Sequence, residues 1–494
     1  MTATISADTP YGRLIGRRTP GGAAFLGIRY ATQRRFRPPE PLRRAPGGGM
    51  EALRPGPAPT QAVRPSAPWA PAAEIGAISE DCLTLNVWTP AVDGARRPVL
   101  VHVFGGGFQG GSAQGGVQDG EALAARGDAV VVRVNFRLGA LGFLHLGAVW
   151  GEPYQAGNVA LLDLCAALEW VRENVRPLGG DPDNVTLFGL SSGAFMIAAL
   201  FAAPAARGLF RRAWMQSGAA SRIIGRDVAA GQAAEFLAVL GIRPGDAAAL
   251  AAAEVADILA AQERIVATDL GARNAPGGRT LGIVADGVTV TDHPLAAIGA
   301  GAARGVPMVL GMTREEARLW FALGVMQPTA SEDDLRQEMA RFCGPDRVPA
   351  LLAAYRAAWP GAAPALLRER FLTDAVYRVP AWRTASAQVA AGGRAYCYEF
   401  AWTPPYGNGR LGAAHGFDEP FVWGVADRQR VPFIAGAEAE AAALAEALSA
   451  TLLRFARADS PGWPSGRGRV FPGDPDEPVP PPAILRAWEG IPRP

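Results

Sequence analysis

The sequence predicts an α/β fold in which a central, mostly parallel sheet is flanked by helices and carries helical insertions. Apolar runs typical of buried strands recur along the chain, and helical patterns separate several of them. Hydrophobic residues make up 49% of the 494 residues and charged residues 19%, a composition that can build a large core. Large α/β enzymes often hold such a length in one body, so we expect a single domain over residues 1–494.

Strands of this sheet are predicted from six apolar runs, at residues 83–88, 99–104, 129–135, 184–188, 306–310 and 395–402. The clearest helix is predicted over residues 159–175, where Leu162, Cys165 and Leu168 recur at helical spacing. Helices packed around the sheet are predicted from three alanine-rich stretches, at residues 226–267, 331–358 and 437–458. Proline-rich segments are predicted as an irregular loop at residues 54–75 and a wrapped or frayed tail at 471–494.

A candidate nucleophile lies in residues 189–193, Gly-Leu-Ser-Ser-Gly, which match the pattern G-x-S-x-G. The short pattern alone is weak evidence for a nucleophile, since an ordinary glycine turn with a surface serine would also match it. A strand-like run leads directly into it, however, and a helix-competent run follows at residues 194–202. Strand, tight turn and helix in that order are what the nucleophile elbow of an α/β-hydrolase requires, so Ser191 is the predicted nucleophile.

Three glycines, at residues 105–107, directly follow the strand-like run 99–104. Without side chains, their backbone N–H groups can approach a ligand closely. An acyl-transfer enzyme needs such donors where the oxyanion of the tetrahedral intermediate forms, and the N–H of Ser192 would add another. The alternative interpretation of the triplet by itself is a flexible loop.

A serine nucleophile needs a base, and in this class the chain order is serine, acid, histidine. Of the four histidines only His293 and His415 follow Ser191. His293 lies in an ordinary-looking turn before a proline, whereas His415 follows the last strand-like run, where a catalytic loop belongs. The acid should follow a strand between them, and Glu315 and Glu316 both qualify.

Together these residues resemble the type-B carboxylesterase family, which includes bacterial p-nitrobenzyl esterases and the cholinesterases. The resemblance extends over nearly the whole chain and rests on further ordered matches: FLGIRYA at 25–31, EDCLTLNV at 80–87, NFRLG at 135–139, GGDP at 179–182, QSG at 216–218 and FAR at 455–457. So many matches in order are specific, and they imply the α/β-hydrolase fold and serine carboxylesterase activity.

The resemblance also implies which residues act. The family pattern of a glycine, four residues, a glutamate and a small residue fits residues 311–317 and makes Glu316 the acid of a triad with Ser191 and His415. Gly106, Gly107 and Ser192 take the oxyanion-hole positions. One departure is Leu190, where the family usually has glutamate, and this disfavours cationic substrates such as choline esters. Another is that no cysteine precedes Cys82, the position that secreted members pair with an upstream cysteine, so no such disulfide is expected.

The expected reaction is hydrolysis of a small-molecule carboxylic ester through an acyl-enzyme, with no metal or other cofactor. An amidase or carbamate hydrolase on the same triad remains an alternative. A non-catalytic binding protein of this fold is the other alternative, although such members typically lose the serine.

Composition excludes other classes of protein. A formal net charge of +2 without a long basic run argues against nucleic-acid binding. No apolar stretch approaches the roughly 18 residues of a membrane helix, and the first residues lack a secretory pattern, so a cytoplasmic enzyme is expected. The sequence gives no indication of the oligomeric state.

Overall fold

The computed structural model describes residues 3–63, 65–71, 75–151, 154, 157–326, 331–427, 429–473 and 482–491. Strands in these residues are β1 (Thr4–Thr9), β2 (Gly12–Thr19), β3 (Gly22–Arg29), β4 (Ala31–Thr32), β5 (Glu40–Pro41), β6 (Gly49–Glu51), β7 (Ala58–Pro59), β8 (Ile78–Ser79), β9 (Thr84–Thr89), β10 (Arg97–Val103), β11 (Val130–Val134), β12 (Gly180–Leu190), β13 (Arg212–Gln216), β14 (Met308–Thr313), β15 (Ala395–Phe400) and β16 (Gly468–Phe471).

The α-helices are α1 (Gly120–Gly127), α2 (Gly139–Phe143), α3 (Gly147–Trp150), α4 (Val159–Asn174), α5 (Ser192–Leu200), α6 (Arg226–Val239), α7 (Ala247–Ala252), α8 (Val255–Ile265), α9 (Leu270–Asn274), α10 (Pro294–Gly299), α11 (Arg318–Ala322), α12 (Glu332–Cys343), α13 (Val348–Ala358), α14 (Pro364–Thr373), α15 (Val379–Ala390), α16 (Glu419–Val422), α17 (Glu438–Ala458) and α18 (Pro482–Ala487). A π-helical turn, Asp374–Arg378, joins α14 to α15.

The central sheet runs in the order β1-β2-β3-β9-β11-β10-β12-β13-β14-β15-β16, with β6 beside β2. Every pairing from β11 through β16 is parallel, whereas β1, β2, β3 and β9 pair antiparallel at the other end. The mostly parallel sheet flanked by helices that the sequence predicted is therefore confirmed.

Helices cover both faces of the parallel strands, which explains why those strands are apolar along their length. Successive side chains of β10 point to opposite faces. Val101 packs in the same cluster as Leu161 of α4, and Leu100 packs in a second cluster with Leu452 of α17. Both faces of such a strand are buried, so apolar and polar side chains do not alternate along it. The strand therefore appears in the sequence as a continuous apolar run.

Some elements differ from the sequence-based expectation. The antiparallel strands β1 to β3 and the short strands β13 and β16 were not predicted, because they are short or carry charged residues. The tail predicted at 471–494 contains helix α18, although residues 474–481 and 492–494 lie outside the described part. Residues 54–75 are irregular apart from β7, with residues 64 and 72–74 outside the described part.

The topology brings the candidate site residues to one edge of the sheet, at the carboxyl ends of its parallel strands. Strand order reverses where the chain passes from β11 and β10 to β12, and ligands of open α/β sheets bind at the carboxyl ends of strands at such a point. Residues 105–107 follow β10, Ser191 follows β12, Glu316 follows β14 and His415 lies beyond β15. Because these strands are parallel, their carboxyl ends share that edge.

Candidate active site

Ser191 stands in the sharp turn between β12 and α5. Its backbone angles, φ 56° and ψ −122°, lie in a sparsely populated region for a residue with a side chain. The turn is held because the Ser191 N–H donates to the carbonyl of Gln216 on neighbouring β13, at 2.8 Å. The structure therefore has the strand–turn–helix geometry that the sequence pattern predicted.

Glycines on both sides of Ser191 let this turn lie against β10. A Cβ atom at Gly189 would lie 2.4 Å from the carbonyl oxygen of Val103, and one at Gly193 would lie 2.0 Å from the same oxygen. Neither distance is compatible with a side chain. The two glycines of the motif are thus required by backbone packing as well as by the turn itself.

His415 and Glu316 are in direct contact. The Nδ1 atom of His415 lies 2.6 Å from Oε2 of Glu316, while Oε1 of Glu316 accepts the backbone N–H of Thr313 at 2.7 Å. Glu316 is fully buried, and the His415 side chain is largely buried. A carboxylate held in this way fixes the orientation of the imidazole ring.

Glu315 has different partners from its neighbour. Its Oε1 atom pairs with Arg370 at 2.9 Å and with Arg318 at 3.0 Å, and its Oε2 accepts the N–H of Ala413 at 2.8 Å. These arginine charges, against the opposing effect of burial, leave the pKa of the Glu315 carboxyl below its ordinary value. Glu315 therefore anchors the loop before His415.

Ser191 and His415 line one cavity of about 380 Å³. Among the described residues no hydrogen bond joins the serine hydroxyl to the imidazole. Hydrogen bonds of this kind are often long in enzymes without substrate and tighten on binding. The imidazole also packs against two rings that line the cavity, with centroid distances of 4.8 Å to Tyr377 and 5.0 Å to Trp320.

The glycine triplet forms part of the cavity wall. Gly106 and Gly107 have positive φ angles of 134° and 65°, and the Gly106 carbonyl accepts the N–H groups of Gln109 and Gly110 at 3.1 Å each. The N–H groups of Gly106 and Gly107 have no acceptor among the described residues. Ser192 is the first residue of α5, where a helix leaves its N–H groups without intrahelical partners.

A second buried carboxylate, Asp418, lies behind the nucleophile. Its Oδ2 atom accepts hydrogen bonds from the Tyr398 hydroxyl at 2.6 Å and from the Gln216 amide at 3.0 Å. Burial, reinforced by the charge of Glu316, raises the pKa of Asp418 to about 6. Since the carbonyl of Gln216 accepts the Ser191 N–H, this network links Asp418 to the turn that carries the serine.

Comparison with known proteins identifies the family. The family model described as the carboxylesterase family matches residues 3–472. The chain belongs to the carboxylesterase family. The para-nitrobenzyl esterase of Bacillus subtilis is 34% identical to this carboxylesterase over 486 residues, which cover 94% of this chain and 93% of the relative.

Two further relatives agree with this membership. The phenmedipham hydrolase of Pseudarthrobacter oxydans is 31% identical over 496 residues, covering 93% of this chain and 88% of the relative. The solved structure of the Geobacillus stearothermophilus carboxylesterase EST55 superimposes with a TM-score of 0.86 at 35% identity, covering 98% of this chain and all of that one. This chain is thus a carboxylic ester hydrolase with the fold of those esterases.

Several cavity residues of this carboxylesterase were not found from the sequence. They come from loops and helices far apart in the chain: Trp69, Arg222, Arg273, Trp320, Tyr377, Phe417 and Phe433. The rings of Trp69 and Phe417 lie 5.8 Å apart, and those of Phe417 and Phe433 are stacked at 4.3 Å. Apart from the proximity of Phe417 to His415, nothing in the sequence indicated these positions. Leu190, the departure noted above, also lines the cavity.

Two other kinds of site are absent from the described residues. No group of three or more histidine, cysteine, aspartate or glutamate side chains in that part of the chain is arranged to hold a metal ion. No helix there combines the length and the apolar character needed to cross a bilayer.

Proposed function

We propose that Ser191, His415 and Glu316 are the catalytic triad of this serine carboxylesterase, with the N–H groups of Gly106, Gly107 and Ser192 as its oxyanion hole. The observation that carries the proposal is the 2.6 Å contact between His415 Nδ1 and Glu316 Oε2, beside the cavity that the strained Ser191 also lines. Because Nδ1 of His415 is in contact with the carboxylate of Glu316, Nε2 is the nitrogen that can exchange a proton with Ser191.

The reaction then proceeds in two halves. His415 takes the proton of Ser191 as the hydroxyl attacks the ester carbonyl, and the glycine-loop N–H groups stabilise the oxyanion of the tetrahedral intermediate. His415 gives the proton to the departing alcohol, which leaves an acyl-enzyme. Water, activated by the same imidazole, attacks the acyl-enzyme and releases the acid and free Ser191. The Glu316 carboxylate stabilises the imidazolium in both halves.

Hydrolysis of para-nitrophenyl butyrate tests the assignment of the nucleophile. Ser191→Ala should lower kcat by about 10³-fold or more, because the attacking oxygen is gone. Ser331→Ala makes the same chemical change at an exposed helix N-cap and should leave kcat as in wild type. A fluorophosphonate probe should label wild type and Ser331→Ala, but not Ser191→Ala. Equal rates for wild type and Ser191→Ala would refute the proposal.

An amidase on the same triad would need stronger protonation of its leaving group by His415. Rates for para-nitrophenyl butyrate and the matched anilide, para-nitrobutyranilide, separate the two activities. We expect the ester to react faster by several orders of magnitude, whereas comparable rates would assign the chain to amide hydrolysis.

A cytoplasmic location forms part of the proposal, since four buried free thiols suit a reducing compartment.

A further inference from the structure

The phenol hydroxyl of Tyr377 opens into the cavity that contains Ser191. Tyr377 lines this cavity, is 1% exposed, and packs its ring 4.8 Å from the imidazole of His415, measured between centroids. The hydroxyl forms no hydrogen bond with a described residue, yet it is not one of the solvent-shielded polar atoms that lack a partner, so it keeps a small accessible surface. That surface faces the cavity, within one ring length of the imidazole.

The backbone that carries this hydroxyl is firmly held. Tyr377 belongs to the π-helical turn Asp374–Arg378 between α14 and α15, and turns of this kind recur at functional sites. The buried carboxylate of Asp374 accepts hydrogen bonds from Nη1 of Arg378 and from the hydroxyl of Tyr355, at 2.6 Å each. These contacts fix the turn, so the Tyr377 hydroxyl is presented at a defined position in the cavity wall.

The electrostatics of the site make the Tyr377 hydroxyl a hydrogen-bond donor. Burial raises the pKa of Tyr377, against the opposing effect of the Arg222 charge, so the phenol stays protonated at neutral pH. Burial lowers the pKa of Arg222 only to about 9, and its guanidinium therefore remains cationic. A positive charge nearby favours an electron-rich oxygen over a second donor, so the group that meets the hydroxyl is an acceptor.

Aromatic surroundings make the choice of substrate group matter at this hydroxyl. The ring of Tyr377 is stacked on that of Trp320 at 5.9 Å and lies 6.4 Å from that of Phe195, between centroids. A hydrocarbon group bound here displaces water from the hydroxyl and leaves it buried without a partner, which costs free energy. A substrate oxygen at the same position restores the hydrogen bond, in surroundings that strengthen it.

We propose that the Tyr377 hydroxyl donates a hydrogen bond to a neutral oxygen atom of the substrate near the scissile ester, so that the preferred substrates are esters with an ether or carbonyl oxygen in the acyl or the alcohol part. The inference rests on the proposed function, because it assigns a substrate class to the same site. Tyr377 determines specificity in this account and takes no part in the proton transfers of the triad. The same hydroxyl disfavours esters of plain hydrocarbon chains, which leave it without a partner.

Two matched pairs of esters test the proposal and separate the acyl side from the alcohol side. On the acyl side, para-nitrophenyl methoxyacetate is compared with para-nitrophenyl butyrate. On the alcohol side, methoxyethyl butyrate is compared with butyl butyrate by titration of the released acid. Within each pair an ether oxygen replaces a CH₂ group, so size is almost unchanged. The quantity measured is the ratio of kcat/KM for the ether ester to that for the hydrocarbon ester.

Tyr377→Phe removes only the hydroxyl, so the difference in chemical reactivity within a pair cancels when the variant is compared with wild type. In at least one pair the ratio should fall about three- to tenfold, because the ether ester loses a hydrogen bond while the hydrocarbon ester no longer buries a lone hydroxyl. A purely structural defect would lower kcat/KM for both members alike. Tyr406→Phe makes the same change outside the cavity lining and should leave both ratios as in wild type.

A binding measurement is independent of turnover. Ketone analogues of the favoured pair, with CH₂ in place of the bridging ester oxygen, have no leaving group. The ether ketone should raise the Tm of wild type and of Tyr406→Phe more than the hydrocarbon ketone does, and Tyr377→Phe should abolish that difference.

The inference is overturned if Tyr377→Phe leaves the ratio unchanged in both pairs, or lowers kcat/KM for both members of each pair equally. Equal Tm shifts by the two ketones in wild type would also overturn it. Ester hydrolysis that does not depend on Ser191 would instead overturn the triad assignment, while the ketone measurement would still decide on the hydrogen bond from Tyr377.

Discussion

At the scale of single residues, Glu315 and Glu316 show that two adjacent glutamates after the same strand can have different partners and different roles. Both follow β14, both are largely buried, and the residues alone left the choice of acid open. In the structure the carboxylate of Glu316 faces His415, whereas that of Glu315 faces Arg318 and Arg370. Neighbouring residues in a turn direct their side chains differently, so that one carboxylate reaches the imidazole and the other reaches the arginines.

The two glutamates make a matched pair of variants. Glu316→Gln should lower kcat by about 10³- to 10⁴-fold, because a neutral amide neither stabilises the imidazolium nor fixes the tautomer of His415. Glu315→Gln should act mainly on stability, lowering the free energy of unfolding by about 1–3 kcal/mol through the weakened arginine contacts. Ester kinetics and urea unfolding of both variants measure this. A larger loss of kcat in Glu315→Gln than in Glu316→Gln would contradict the assignment.

Asp418 leads to a prediction about pH. Burial raises the pKa of Asp418 from 3.8 to about 6, so the folded state holds this proton more tightly than the unfolded chain. The contribution of this carboxyl to stability is therefore greatest below pH 4 and is lost as the pH rises through 6. Asp418→Asn cannot ionise, and its stability relative to wild type should increase by up to about 3 kcal/mol between pH 4 and pH 7.

Urea unfolding of wild type and Asp418→Asn across that range measures the effect. If the free energy of unfolding of Asp418→Asn, relative to that of wild type, does not change with pH, Asp418 is not held protonated by its surroundings. If this difference falls as the pH rises, the ionised carboxylate interacts favourably with its surroundings, which is opposite to the expected sign.

At the scale of elements, a buried ion pair ties α4 to the segment between β11 and α2. Arg137 donates to Asp163 on α4 through Nη2 at 2.6 Å and Nε at 2.8 Å, and both side chains are at most 2% exposed. The Nη1 atom of Arg137 also donates to the carbonyl of Arg37 at 2.7 Å. One guanidinium thus joins three segments that lie far apart in the chain.

Removal of either partner should be strongly destabilising. Arg137→Met leaves a buried carboxylate without its cation, and Asp163→Leu leaves the cation alone, so each should lower the free energy of unfolding by about 3–5 kcal/mol. The double variant should recover part of that loss. As a control, Arg336→Met breaks the exposed Arg336–Glu332 pair and should cost less than about 1 kcal/mol. The pair is not structurally important if Arg137→Met costs no more than this control in urea unfolding.

At the scale of the whole molecule, the four cysteines lie in the same hydrophobic core, the one that also contains Val101 and Leu161. Cys82, Cys165, Cys343 and Cys397 are buried and free. Burial raises the pKa of both Cys165 and Cys397 to about 12, so little reactive thiolate is present at neutral pH. The fold therefore keeps its thiols unreactive.

Thiol chemistry should accordingly report on global unfolding. In native protein an aromatic disulfide reagent should modify the four thiols only slowly, and in urea above the unfolding midpoint all four should react rapidly. Dithiothreitol should leave the Tm unchanged within about 1 °C, since no cross-link is broken. Rapid modification of any native thiol, or a lower Tm on reduction, would contradict this arrangement.

Local features of this protein could be predicted from the sequence because they are made by neighbouring residues. The strand–turn–helix around Ser191 is encoded in the consecutive residues 184–202, and the glycines that permit it are part of the same motif. The parallel strands could be predicted as apolar runs because cores on both faces leave them no polar side. Short strands such as β13 and β16 escaped prediction because register with longer neighbours, rather than their own composition, holds them in the sheet.

The sequence alone determined the fold class, the position of the candidate nucleophile and the order in which its candidate partners follow. Only the tertiary structure decided which surroundings each glutamate faces, and which distant side chains, among them Trp69, Arg222 and Arg273, line the cavity. The physical reason is that a local sequence pattern reflects the backbone conformation and the burial of neighbouring residues. The composition of a cavity depends instead on how separate segments pack across the edge of a sheet, and no local pattern records that.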